Sequence, residues 1–247
     1  MGRWLKTQPL VMAFSDSPMK CSPPLLIACL GGLAVLKASA QQLNWGSSVF
    51  SDLVDSKGDA LENTFVFEIG AFNPGFTPTL SNLLDWRSNW QVFDRAAYNG
   101  IEEPVDDGIF GYFTGTARML DDGRSDSAFM TPSALSFEGL SGYLWIRKGD
   151  DPVAGSEWSL TRANNWVFPN AIPRCCDNDT PFNWSTSDLT EADVPLWGRQ
   201  GKISGPGEVS NSGIHTLQTY TFVPEPSSFL MLLSASGLLM VRRRSIV

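Results

Sequence analysis

The chain has 247 residues, 18 Lys and Arg against 26 Asp and Glu, a net charge of −8, and one histidine. Four basic residues and one acid precede Gln41, and three arginines and Glu225 follow Val223, so the interior holds 11 basic and 24 acidic side chains. A surface that acidic repels phosphate backbones and anionic headgroups, which excludes nucleic acid as a partner, and one histidine excludes the usual multi-histidine metal sites.

Residues 1–40 read as an N-terminal extension followed by a secretory signal. Such a signal needs a basic start, an apolar core of about 7–15 residues and a small-x-small cleavage site. Met19-Lys20 supplies the start, residues 25–36 the core, and Ala38-Ser39-Ala40 the site, leaving Gln41 as the mature N-terminus. The first 18 residues add nothing a signal needs and place Asp16 where a basic region belongs, so translation is expected to start at Met19. Within the same stretch Leu26-Ile27-Ala28-Cys29 resembles a bacterial lipobox, but the chain stays apolar through residues 30–36 where a lipidated terminus would turn polar.

Residues 41–222 are long enough for one domain with a sizeable core. In "TFVFEIGAF" Phe65, Phe67 and Ile69 alternate with Val66 and Glu68, the period-two pattern of a partly buried strand. Further strand runs occupy residues 43–50, 90–94, 109–120, 142–147, 157–161, 166–168 and 214–222, separated by clusters of Gly, Asp, Asn and Pro. Residues 79–86, after Pro78, predict a two-turn helix capped by Thr79. The expected fold is all-β: an antiparallel, jelly-roll-like sandwich with long loops and one short helix, flanked by N-terminal signal and C-terminal transmembrane-like helices. A closed barrel is the alternative.

The chemistry within this domain is sparse. His215 sits in an alternating run with no nucleophile motif beside it. Cys175 and Cys176 are adjacent in a chain read as exported; their Cα atoms lie about 3.8 Å apart, below the usual disulfide range, so a vicinal bridge would be strained, and free thiols remain the alternative. Three acidic clusters are candidates for calcium: Asp55, Asp59 and Glu62; Asp121, Asp122 and Asp126; Asp177, Asn178 and Asp179. None has EF-hand spacing, so solvated turns are the favoured reading of them. Glu68, Glu138 and Glu157 could supply carboxylates for glycoside hydrolysis, which needs two of them about 5–10 Å apart. Tryptophans 184 and 197, in loop-like surroundings, are candidate platforms for sugar rings, whereas Trp145 and Trp158 read as core.

The tail, residues 223–247, has three parts: Val223-Pro224-Glu225-Pro226 and two serines, an apolar run over 229–241, and the cluster Arg242, Arg243, Arg244. Thirteen helical residues reach roughly 20 Å, short of a hydrocarbon core of about 30 Å, while the arginines fix this end in the cytoplasm. The prolines stop the helix from extending backwards and leave an exposed, extended handle. This stretch resembles the PEP-CTERM sorting signal of Gram-negative bacteria. The resemblance covers about 25 residues and implies recognition and cleavage by an exosortase-type membrane enzyme, often in species that make extracellular polysaccharide. The expected product is a non-enzymatic surface or matrix protein, binding polysaccharide or calcium and otherwise cofactor-free; the alternative is a secreted, carboxylate-dependent polysaccharide hydrolase.

Overall fold

In the computed structural model, residues 41–99, 111–149, 153–171 and 181–222 are described. Among them the chain is an all-β, sandwich-like fold of three sheets with one short helix. The strands are β1 (Gln41–Gly46), β2 (Leu53–Val54), β3 (Val66–Phe72), β4 (Trp90–Arg95), β5 (Ala97–Asn99), β6 (Tyr112–Met119), β7 (Tyr143–Lys148), β8 (Glu157–Thr161), β9 (Phe182–Ser185), β10 (Arg199–Gly201), β11 (Ile203–Ser204), β12 (His215–Gln218) and β13 (Tyr220–Thr221). They form a five-stranded sheet β13-β8-β7-β3-β4, a four-stranded sheet β5-β6-β1-β9 and a smaller one, β11-β10-β12-β2. Pairing is antiparallel except for β1 with β9 and β12 with β2.

The five-stranded sheet is the central layer because apolar residues occupy both of its faces. On one face Phe67, Ile69, Leu144 and Ile146 pack against Leu43, Trp45, Phe113 and Ala117 of the β1–β6 sheet. On the other, Phe72, Trp90, Trp145, Trp158 and Leu160 form a second core with Leu83, Trp86 and Trp197. Side chains alternate between faces along a strand, so the run Phe67-Glu68-Ile69, read as partly buried, serves two interiors. Glu68 is wholly buried.

Several expected elements end differently. The first strand stops at Gly46, where a Cβ would stand 2.6 Å from the Phe113 carbonyl oxygen. Ser48 then turns the chain, accepting from Ser51 N at 3.0 Å through its carbonyl and from Phe50 N at 3.2 Å through its hydroxyl. Residues 79–86 form a 3₁₀ helix (Leu80–Asp85), bent at Asn82 and followed by α1 (Trp86–Asn89). Asn82 explains the bend, because its Oδ1 reaches back to the Thr79 N–H at 2.8 Å and to the Trp86 indole at 3.0 Å. Residues 166–168 make one bridge, Val167 to Ser141, and no strand. The run 214–222 divides at Thr219, β12 entering the small sheet and β13 the central one.

A bulge shapes the edge strand β4. Ile69 pairs with Asp94 but Gly70 with Val92, so Phe93 is an extra residue. Phe93 lies in the first core and Asp94 faces the same way, meeting the Trp45 indole nitrogen at 2.8 Å.

Candidate functional site

The acidic turns disperse their carboxylates. Asp55 Oδ1 accepts from the backbone N–H groups of Lys57 and Asp59 at 2.8 and 3.0 Å, closing its own turn. Glu62 turns instead to Lys148 on β7, 3.1 Å away; that hydrogen bond and the lysine charge hold its carboxyl below the usual range. In the second cluster Asp122 accepts from the Arg124 backbone N–H at 3.1 Å and pairs with its guanidinium at 2.6 Å, which lowers its pKa in the same order. Asp126 accepts from Arg118 N at 2.7 Å. Among the described residues no three His, Cys, Asp or Glu side chains converge as metal ligands would. Asp177, Asn178, Asp179, Cys175 and Cys176 lie outside the described residues.

The carboxylates considered for glycoside hydrolysis are not brought together. Register places Glu68 opposite Trp145, and Arg147 opposite Trp158, on the face of the second core; Glu157, next to Trp158, therefore points to the other face. Glu157 accepts from Ser56 N at 3.2 Å, Ser56 Oγ at 2.9 Å and Thr219 Oγ1 at 2.8 Å, tying β8 to two loops. Glu138 is exposed in the loop before β7. A sugar bond cannot lie between Glu68 and Glu157, because the sheet itself does.

The tryptophans are core. Trp184 and Trp197, the two candidate sugar platforms, are each only 6% exposed. Trp184 stacks on Trp166 with centroids 5.7 Å apart, and Trp197 donates its indole N–H to the Tyr220 carbonyl at 3.0 Å. Trp45, Trp86, Trp90, Trp145, Trp158 and Trp166 are buried as well. A loop-like sequence context misled because both indoles fill gaps between sheets rather than lie over solvent.

Two charge clusters escape sequence reading because their members are far apart in the chain. Glu68 Oε1 lies 2.7 Å from Arg95 Nη2 and 3.1 Å from Arg147 Nη2, and its Oε2 accepts from the Trp90 indole at 3.1 Å. This carboxylate is saturated, a structural arrangement rather than a reactive one. Asp52 accepts from Thr216 N at 2.6 Å, from Thr216 Oγ1 at 2.5 Å, and lies 2.9 Å from His215 Nδ1. The pair resembles the orienting half of a catalytic triad. However, His215 Nε2 is buried without a hydrogen-bond partner and lies against Gly213, where an added Cβ would stand 2.5 Å from it. With that nitrogen facing a turn, the Asp52–His215 pair pins β12 beside β2.

The outer face of the β1–β6 sheet is lined by polar groups, with the exposed Arg118 opposite Gln42. Asn44 Nδ2 donates to Asn183 Oδ1 at 3.1 Å, and Asn44 Oδ1 accepts from Gln42 Nε2 at 2.7 Å and Thr116 Oγ1 at 3.1 Å. Four side chains from three strands thus form one amide and hydroxyl ladder.

Neither a protein-family model nor a curated protein nor a solved structure matches the chain. Of the residues read as addresses, Gln41 lies in β1. Ala38, Ala40, Val223, Pro224, Glu225, Pro226, Arg242, Arg243 and Arg244 lie outside the described residues. Among the described residues no helix is long and apolar enough to cross a membrane.

Proposed function

We propose that the chain is an exported, non-enzymatic β-domain whose tail is a PEP-CTERM-type sorting signal processed by an exosortase-type membrane enzyme. The tail itself carries this reading: a Pro-Glu-Pro handle, a short apolar run and three arginines follow one another in that order over residues 223–247. One structural fact accords with it: the last described strand, β13, ends at Thr221, three residues before Pro224.

Before processing, the apolar run holds the protein in the membrane with the domain on the outer side; afterwards the domain belongs to the cell surface or the extracellular matrix. Its ligand class on this reading is extracellular polysaccharide, met by the ladder of Gln42, Asn44, Thr116 and Asn183 rather than by buried indoles. Neutral sugars suit a ladder of amides and a hydroxyl on an acidic protein. Calcium is a lesser candidate, since the turn carboxylates are already engaged by their own loops.

An intact mass of the protein recovered from membrane and extracellular fractions of its native host tests the proposal. A species starting at Gln41 and ending near Pro224 is expected. A mass that retains the arginine tail in every fraction refutes processing.

A further inference from the structure

We infer that, while the tail is attached, the domain rests on a zwitterionic lipid surface through the exposed face of its 3₁₀ helix, Leu80–Asp85; this rests on the membrane reading of the tail. The chain leaves the domain at a fixed point. Phe222 donates its backbone N–H to the Ser156 carbonyl at 2.7 Å, and its own carbonyl accepts from Gly155 N at 3.1 Å. Its ring packs against Trp158 with centroids 6.4 Å apart, and Trp86 stacks on the same Trp158 at 6.5 Å. Leu83 and Trp86 fasten the helix to the second core. The helix and the point of exit therefore lie on one face of the central sheet.

This face is apolar and nearly uncharged toward solvent. Leu80 is 56% exposed and Leu84 73%, while Leu83 between them turns into the core. Val153, also exposed, stands in the turn that holds Phe222. Residues 69–84 contain no charged side chain, in a domain with 24 acidic and 11 basic ones. Covering exposed leucines with the lipid interface is favourable in proportion to the apolar area removed from water. The exposed acids at the borders, Asp85 and Glu208, the latter bridged to Thr221, disfavour anionic headgroups and select a zwitterionic surface.

The tether brings this face to the bilayer. Six residues, 223–228, separate Phe222 from the apolar run that begins at Phe229. Fully extended they reach about 20 Å, so the domain cannot leave the lipid surface. Its helix face is then presented to lipid at high effective concentration. The β1–β6 sheet covers the opposite face of the central sheet, so its polar ladder points away from the bilayer.

The test reconstitutes the full chain into phosphatidylcholine vesicles doped with a phosphatidylcholine that carries a diazirine near its headgroup, and maps the photocrosslinks by peptide. Label is expected in residues 76–84 as well as in the tail. Phe50, 84% exposed beyond the end of β1, is the control for chance contact and should stay unlabelled. Leu80→Ser combined with Leu84→Ser alters only exposed side chains and keeps the fold; it should lower label in the helix about tenfold relative to the tail. Wild-type label confined to the tail, or undiminished helix label in the variant, overturns the helix face and leaves the membrane reading standing. A chain that does not sediment with the vesicles overturns both.

Discussion

Trp45 on β1 donates its indole N–H to Asp94 Oδ2 on β4 at 2.8 Å, a buried hydrogen bond that joins the outer sheet to the central one. Two local features make it possible: the bulge that turns Asp94 inward, and Gly115, directly opposite Trp45 in the register. A Cβ at Gly115 would clash with the indole nitrogen and stand 2.8 Å from the Asp94 oxygen.

Gly115→Ala is therefore expected to displace the indole and break the link. Overpacking together with a buried donor left unmatched should cost about 2–4 kcal/mol. Urea denaturation followed by far-UV circular dichroism reads the loss directly. A change below roughly 0.5 kcal/mol, the usual scatter of a neutral surface substitution, would mean that the sheets do not depend on this contact.

Glu68 and Arg147 make the second prediction. Both side chains are removed from solvent and lie 3.1 Å apart, with Arg95 closing the carboxylate from a half-exposed position. Glu68→Ala removes the buried carboxylate that Arg95 and Arg147 share, and about 3–5 kcal/mol of stability should be lost. Adding Arg147→Met to that variant should recover part of the loss, because the buried guanidinium that lost this carboxylate is then gone. A double-mutant cycle in urea measures the coupling; strictly additive effects would contradict the pairing.

The sequence revealed what repeats locally and concealed what closes over distance. Alternation in residues 64–72 identified β3, and similar runs identified β4, β7 and β8 within a residue or two. It could not show that Glu68 faces a second core, since a buried carboxylate and a solvated one occupy the same place in a period-two pattern. Its two arginines come from β4 and β7, 27 and 79 residues away. Strands β2, β10 and β11 are two or three residues long and have no periodicity to read. Strands β2 and β10 exist by pairing with β12, and β11 by pairing with β10. His215 was legible as a strand residue, but its partner Asp52 is 163 residues away. The tail is the reverse case, legible only as sequence.

Burial of the tryptophans gives a third expectation, which bears on ligand assays. In a domain of residues 41–222 every indole is shielded. Iodide should therefore quench the folded domain weakly and the urea-unfolded chain strongly. Titration with a polysaccharide should leave tryptophan emission unchanged even where binding is detected by calorimetry. Strong iodide quenching of the folded domain, or a ligand-induced emission shift, would show an indole at the surface and restore the stacking mode.

Asp193 gives a stability change with a defined pH window. It is buried; Oδ2 accepts from Thr190 N and Oγ1, each at 2.8 Å, and Oδ1 from Asn164 N at 3.0 Å. Burial is the largest single influence and raises its pKa, but the three hydrogen bonds and the nearby Arg162 charge together outweigh it, and the carboxyl ends below its usual range. The unfolded chain then binds a proton at a higher pH than the folded one. The contribution is fully present above the ordinary Asp value of about 3.9 and is lost as pH falls through the lower folded value. Asp193→Asn removes this term and weakens the loop at neutral pH. Its stability should fall less steeply than that of the wild type on acidification below about pH 4. Parallel stability curves for the two proteins across that range, measured by urea denaturation, would show that the folded domain does not favour the Asp193 carboxylate.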